Sequence, residues 1–111
     1  IRPTIIGNTI ITITQNGFLI IIDKISGNIV RVTDIFQFFK EKKRKELFPV
    51  GFIVGSKNIY VTISNGRMLI IDIKNGKYEK IIKIDGKKIS EPFIAKNDLF
   101  IVKDSAIIQF D

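Results

Sequence analysis

Apolar residues fall in short runs along the whole chain, and each run is closed by turn-forming residues. The stretch NGFLIIIDKISGN, residues 16–28, reads as turn, apolar run, Asp, Gly-containing turn and a return to apolar residues. A near copy, NGRMLIIDIKNGK, occupies residues 65–77. Apolar runs of this length between Asn-Gly or Ser-Gly pairs are strand signals. Asn16-Gly17 recurs as Asn65-Gly66, Asp23 as Asp72 and Gly27 as Gly76, each 49 residues on (65 − 16, 72 − 23, 76 − 27). The preceding IITIT, residues 10–14, aligns with IYVTI, residues 59–63. A shorter third copy, PFIAKNDLFIVKDSAIIQFD at 92–111, matches 49–72 with gaps in the turns and sets Asp111 39 residues after Asp72 (111 − 72). Pro3, Pro49 and Pro92 each open a copy. Proline suits the first residue of a strand, where no ladder donor is needed.

Each full copy predicts four strands. They fall near 4–6, 10–14, 18–23 and 28–32 in the first copy, and near 50–54, 59–64, 67–73 and 77–84 in the second. The third offers 93–95, 99–103 and 106–110 and stops before a fourth. FLIIID and MLIID are apolar without clean alternation, as strands covered on both faces are. Hairpin-linked strands repeating at this interval predict stacked four-stranded sheets, with a β-sandwich as the alternative.

The polar residues of the repeat predict turns rather than chemistry. Asn16, Gly17, Asn65 and Gly66 sit between apolar runs, and these residue types tolerate the positive φ of tight hairpins. Gly27 and Gly76 serve the next turn, where Asp23 and Asp72 are placed to accept hydrogen bonds from turn backbone. Paired carboxylates do acid–base work elsewhere. These two occupy equivalent positions in different copies, which argues against a pair.

Composition narrows the chemistry. There are 26 isoleucines and no Trp, His or Cys. Isoleucine favours strands, because a β-branched side chain fits a pleated sheet. Without His and Cys, thiolate or imidazole metal sites and Ser-His-Asp or Cys-His catalysis are excluded. The lack of Cys fits any redox compartment. No catalytic residue, metal ligand or cofactor site is expected in these residues. The net charge of +7 suits an acidic partner, an anionic lipid surface or nucleic acid, and equally a Lys-rich solvated surface. Nucleic acid is not expected, because aromatics are not interleaved with basic residues along a strand surface. No apolar run approaches the roughly 18 residues of a membrane span. The chain starts at Ile1 with no signal-peptide pattern, which reads as a mature chain or a cut fragment.

Pro49, Ile59-Tyr60-Val61, Asn65-Gly66, Leu69, Asp72 and Asn75-Gly76-Lys77 together resemble the blade of the pyrroloquinoline-quinone-type (PQQ-like) β-propeller repeat family. Pro3, Asn16-Gly17, Leu19, Asp23 and Ser26-Gly27 fit the same pattern. The family's tryptophan of the fourth strand is missing, and Val30-Arg31 and Lys80-Ile81 occupy that region. Residues 89–111 make the chain most similar to the C-terminal part of BamB-like lipoproteins of the outer-membrane β-barrel assembly machinery. The resemblance implies an all-β, partial β-propeller of antiparallel four-stranded blades spanning 1–111, with repeats at about 3–32, 49–84 and 92–111. The third blade would carry three strands.

It also implies a non-catalytic, periplasmic, outer-membrane-associated scaffold. Its partner would be a BamA-like barrel assembly protein or unfolded outer-membrane proteins. The alternative is part of a PQQ-dependent dehydrogenase, which implies PQQ and calcium over a tryptophan floor, often with a vicinal disulfide. This chain has neither Trp nor Cys. A generic β interaction domain is the third reading. Two blades and three strands cannot close a propeller, so the chain is expected to be a C-terminal fragment that covers its apolar end faces by oligomerising or in a lattice.

One segment breaks the repeat: TDIFQFFKEKKRKELF, residues 33–48. Thr33 or Asp34 predicts the cap of a short helix within 34–47, and Pro49 its end. On an α-helix Ile35, Phe38 and Phe39 share a face, with Phe36 beside them. From Lys40 to Glu46 every residue is charged, five basic and two acidic. A solvated insertion is one reading. The other is a contact element in which Phe36, Phe38, Phe39, Lys42, Lys43, Arg44 and Lys45 meet a partner groove or an anionic membrane surface.

Overall fold

The computed structural model describes residues 2–39, 46–84, 90, 92–95, 98–103 and 106–110. Three sheets follow one another along the chain. The first is β1 (Thr4–Ile6), β2 (Thr9–Ile13), β3 (Phe18–Asp23) and β4 (Ile29–Asp34), paired in that order. A 3-10 turn, Ile35–Phe38, follows. The second sheet is β5 (Pro49–Val54), β6 (Asn58–Ile63), β7 (Arg67–Asp72) and β8 (Tyr78–Lys83), again in chain order. The third has β9 (Phe93–Ala95), β10 (Asp98–Lys103) and β11 (Ala106–Phe110), with β10 central. The chain divides into two compact units, Ile1–Pro49 and Val50–Asp111.

The 49-residue period is reproduced in the backbone. β3 and β4 shift register between Ile21 and Ile22, and β7 and β8 do so between Ile70 and Ile71. Each shift sits at the same repeat position and bends its strand, as a bulge does. Ile35 N–H donates to the Gly17 carbonyl at 2.9 Å, and Ile84 N–H to the Gly66 carbonyl at 2.9 Å. Lys24 N–H donates to Asn8 O at 2.7 Å, and Ile73 N–H to Lys57 O at 3.0 Å. β4 therefore runs two residues beyond the expected 28–32, and the repeat continues through Ile35 into the segment read as the insertion.

In the first unit the buried side chains are Ile11, Ile13, Leu19, Ile21, Ile35 and Phe36. Ile11, Ile13, Leu19, Ile21 and Thr33 share one face of the sheet, following the pairings Ile11↔Ile21, Ile13↔Leu19 and Leu19↔Thr33. The other face carries the cross-strand row Ile5↔Ile10↔Ile22↔Ile29. Of that row, Ile10 and Ile22 are half-buried and Ile5 and Ile29 exposed.

The second sheet is withdrawn from solvent on both faces. Ile59, Val61, Leu69 and Ile71 on one face are 0% exposed, and Met68 on the other is 1% exposed. Thr62 is also buried, and its hydroxyl donates to Gly51 O at 3.4 Å, so the polar group is partnered. Within the second unit the third sheet stacks on the second. Ile101 packs on Met68, with Leu99, Tyr60, Ile70, Ile82 and Ile84 around the pair. Such face-to-face stacking removes apolar surface from water at about 25 cal/mol per Å².

Candidate functional site

The repeated Asp-to-Gly stretch forms two matching turns. Asp23 Oδ1 accepts from Ile25 N–H at 2.9 Å. Asp72 Oδ1 accepts from Lys74 N–H at 2.7 Å and from Asn75 N–H at 3.2 Å. The backbone closes each turn as well: Gly27 N–H reaches Asp23 O at 2.8 Å and Gly76 N–H reaches Asp72 O at 2.9 Å. Gly27 and Gly76 hold φ of 74° and 72°, the left-handed region where a Cβ is costly. Ser26 and Asn75 add side-chain acceptors, to Asn28 N–H at 3.1 Å and Lys77 N–H at 2.8 Å. These carboxylates are occupied with the backbone of their own turns. Among the described residues there is no group of three or more His, Cys, Asp or Glu able to hold a metal.

The hairpin turns at Gly17 and Gly66 share a φ of 87° and 80° but differ in their side-chain acceptor. In the first, Thr14 Oγ1 accepts from Phe18 N–H at 3.1 Å. In the second, Ile63 stands at that repeat position, and Asn65 Oδ1 takes the role by accepting from Arg67 N–H at 3.2 Å.

The segment after β4 is built differently from an α-helix. Asp34 caps it, its carboxylate accepting from Phe36 N–H at 3.0 Å. The four residues that follow form a 3-10 turn, in which positions three apart eclipse. That spacing brings Phe36 and Phe39 together, edge to face, with centroids 6.4 Å apart and an interplanar angle of 67°. Phe36 is 4% exposed. It lies over Gly17 so closely that a Cβ there would come within 2.5 Å of two ring carbons. The ring of Phe36 is thus an interior group of the first unit and does not present a surface, and Phe39 beside it is half-buried. The α-helical face of Ile35, Phe38 and Phe39 gives way to a Phe36–Phe39 pair because the turn is wound more tightly. Lys42, Lys43, Arg44 and Lys45 lie outside the described residues. No described helix is long and apolar enough to cross a membrane.

A further feature is the edge of the third sheet. The pairings Tyr60↔Ile70 and Val61↔Leu69 in the second sheet correspond to Phe100↔Gln109 and Ile101↔Ile108 in the third. β11 is therefore the counterpart of β7 and β3. Those two are interior strands, each paired with a fourth, whereas β11 ends its sheet among the described residues.

No protein-family model and no curated protein sequence matches the chain. Solved structures do. The WD40 β-propeller domain of Doa1 is similar over 97% of this chain and 34% of its own, with a TM-score of 0.74 at 14% identity. BamB from Moraxella catarrhalis is similar over 97% of this chain and 30% of its own, with a TM-score of 0.69 at 13% identity. The computationally designed Ika8 protein is similar over 95% of this chain and 30% of its own, with a TM-score of 0.68 at 9% identity. The chain spans about a third of the length of each. The fold is accordingly all-β, made of blades of the β-propeller type, and the sandwich alternative is set aside.

Proposed function

We propose that this chain is part of a non-catalytic, protein-binding β-propeller scaffold of the BamB-like kind, which assists assembly of outer-membrane β-barrel proteins in the periplasm. The observation that carries the reading is the edge strand β4, which ends its sheet among the described residues and carries exposed Ile29, Val30 and Val32. A strand at a sheet edge presents backbone donors and acceptors to any extended chain, and strand addition there gives affinity with little demand on sequence. Unfolded outer-membrane strands are ligands of that kind, with about 10 residues of alternating hydrophobicity. The engagement of Asp23 and Asp72 with turn backbone, and the lack of His and Cys in the sequence, favour binding over catalysis. The likeness to BamB from Moraxella catarrhalis supports the scaffold and adds weight to the periplasmic setting.

Within this reading the charged run 40–46 is a second contact element, for a BamA-like partner or the anionic membrane surface. It starts one residue after Phe39, which packs on the anchored Phe36.

The test is the binding of a ten-residue outer-membrane strand peptide, followed by fluorescence anisotropy. Its control is the same peptide N-methylated at alternate amides, which removes the donors of one edge. A loss of tenfold or more on methylation is expected. Equal binding of the two peptides overturns strand addition. Deleting residues 40–46 is expected to weaken capture by the barrel assembly partner or by anionic vesicles, and unchanged capture assigns that run to solvent.

A further inference from the structure

The two four-stranded sheets end on equivalent strands, β4 and β8, whose exposed side chains differ in kind. The exposed residues of β4 are Ile29, Val30 and Val32. Those of β8 are Tyr78, Glu79, Lys80 and Lys83. Charged side chains, lysine above all, blunt a sheet edge against added strands. β8 carries that guard and β4 does not. The turns leading into the two strands differ in the same way. Ile25, 78% exposed, stands at the repeat position of Lys74.

This exposure belongs to the position within the sheet. The second sheet is withdrawn from solvent on both faces, yet Lys74, Asn75, Lys77, Tyr78 and Glu79 are all exposed. They are the counterparts, 49 residues on (74 − 25), of Ile25, Ser26, Asn28, Ile29 and Val30. Covering both faces of a sheet therefore leaves this rim in solvent. The rim is also held firmly. Lys24 N–H donates to Asn8 O, Ile25 N–H to Asp23 Oδ1, Gly27 N–H to Asp23 O and Asn28 N–H to Ser26 Oγ. Ile25 is thus presented from an ordered backbone, which lowers the cost of binding through it.

The backbone of β4 is set to receive a strand. Ile35 N–H bonds to Gly17 O, and from there the pairs of β3 and β4 alternate between bonded and non-bonded. Thr33 and Arg31 turn their backbone groups to β3. Val32 turns its N–H and C=O to the open edge, and Asp34 its N–H. Beyond the register shift, Asp23 N–H bonds to Asn28 O, so Ile29 also faces outward.

We propose, resting on the strand addition argued above, that β4 and not β8 is the receiving edge, and that Ile25, Ile29 and Val30 select what it receives: an extended aliphatic segment with an acidic residue at the end beside Lys24. The rim side chains are aliphatic, so a charged side chain laid against them loses water without gaining a partner. Lys24 is the exposed charged residue of the turn, whereas Asp23 is half-buried with its carboxylate on Ile25 N–H. An acid of the ligand meets that ammonium and sets the direction of the added strand, as rim charges fix register more than affinity.

The test carries the second turn's residues into the first. Ile25→Lys and Val30→Glu place there what the repeat already holds at Lys74 and Glu79, and circular dichroism checks folding. The probes are three eight-residue peptides followed by fluorescence anisotropy. One alternates threonine and valine and ends in glutamate, the second ends in lysine instead, and the third has lysine for every valine. The unaltered chain is expected to bind the first about tenfold more tightly than the third. Its preference for the first over the second is expected to be about threefold, the scale of an exposed ion pair, and Lys24→Glu to invert it. Each turn variant is expected to weaken the first peptide about tenfold. A benzophenone on that peptide is expected to label residues 29–35.

Equal binding of the three peptides, or turn variants that bind as the unaltered chain does, overturns selection by this rim. Strand addition then still stands if N-methylation of the peptide abolishes binding. Labelling of residues 78–84 in preference overturns the choice of edge. Failure of every peptide to bind overturns strand addition and this proposal together.

Discussion

Gly17 and Gly27 share a left-handed backbone, yet they are not equivalent residues. At Gly27 a Cβ would meet nothing within 4 Å, so alanine there costs only the backbone strain, about 1–2 kcal/mol. At Gly17 the same strain is joined by the ring of Phe36, 2.5 Å from the new Cβ. Overpacking adds about 1–3 kcal/mol, so Gly17→Ala is expected to cost about 2–5 kcal/mol in urea unfolding. Equal costs for the two substitutions would mean that Phe36 moves aside freely. The aspartates invite a similar comparison. Asp72 accepts from two backbone N–H groups and Asp23 from one through their side chains. At a net value of roughly 1 kcal/mol per bond, Asp72→Ala should destabilise more than Asp23→Ala, and Asp72→Asn should recover most of the loss. If the two alanine variants unfold at the same urea concentration, the second bond contributes nothing.

At the scale of strands and turns, the repeat explains what could be read and what could not. The Asn-Gly and Asp-to-Gly spacing marks β2 to β4 and β6 to β8, because turn residues are chosen for backbone geometry that recurs with the fold. The run FLIIID gives no sign of which face is covered. Apolar residues fill both faces, and which of them is buried depends on tertiary packing that the run itself does not encode. Ile22 and Ile71 are repeat partners, but only Ile71 is fully buried. Ile71→Ala is therefore expected to cost about 3–5 kcal/mol and Ile22→Ala clearly less, measured by chemical unfolding. A loss at Ile22 as large as that at Ile71 would show the first-sheet face covered in solution. The Phe-rich segment resists sequence reading for a related reason. Four residues between a capping Asp34 and an extended Phe39 are too few to settle an α-helix, and the 3-10 turn regroups the rings.

On the scale of the whole molecule, stability should follow the stacking of sheets. In a repeat architecture each sheet is held by its neighbours, so a sheet covered on both faces is the hardest to open. The second sheet meets that description: Ile59 and Val61 in β6, and Leu69 and Ile71 in β7, are 0% exposed. Both strands are interior to their sheet, so their amides also have partners on either side. β4 ends its sheet and carries exposed Ile29, Val30 and Val32. Hydrogen exchange followed by mass spectrometry at low protein concentration is expected to leave β6 and β7 protected longest. β4 should exchange at least about 100-fold faster, a difference of roughly 2.7 kcal/mol in local opening. Protection of β4 equal to that of β6 and β7 would contradict this account.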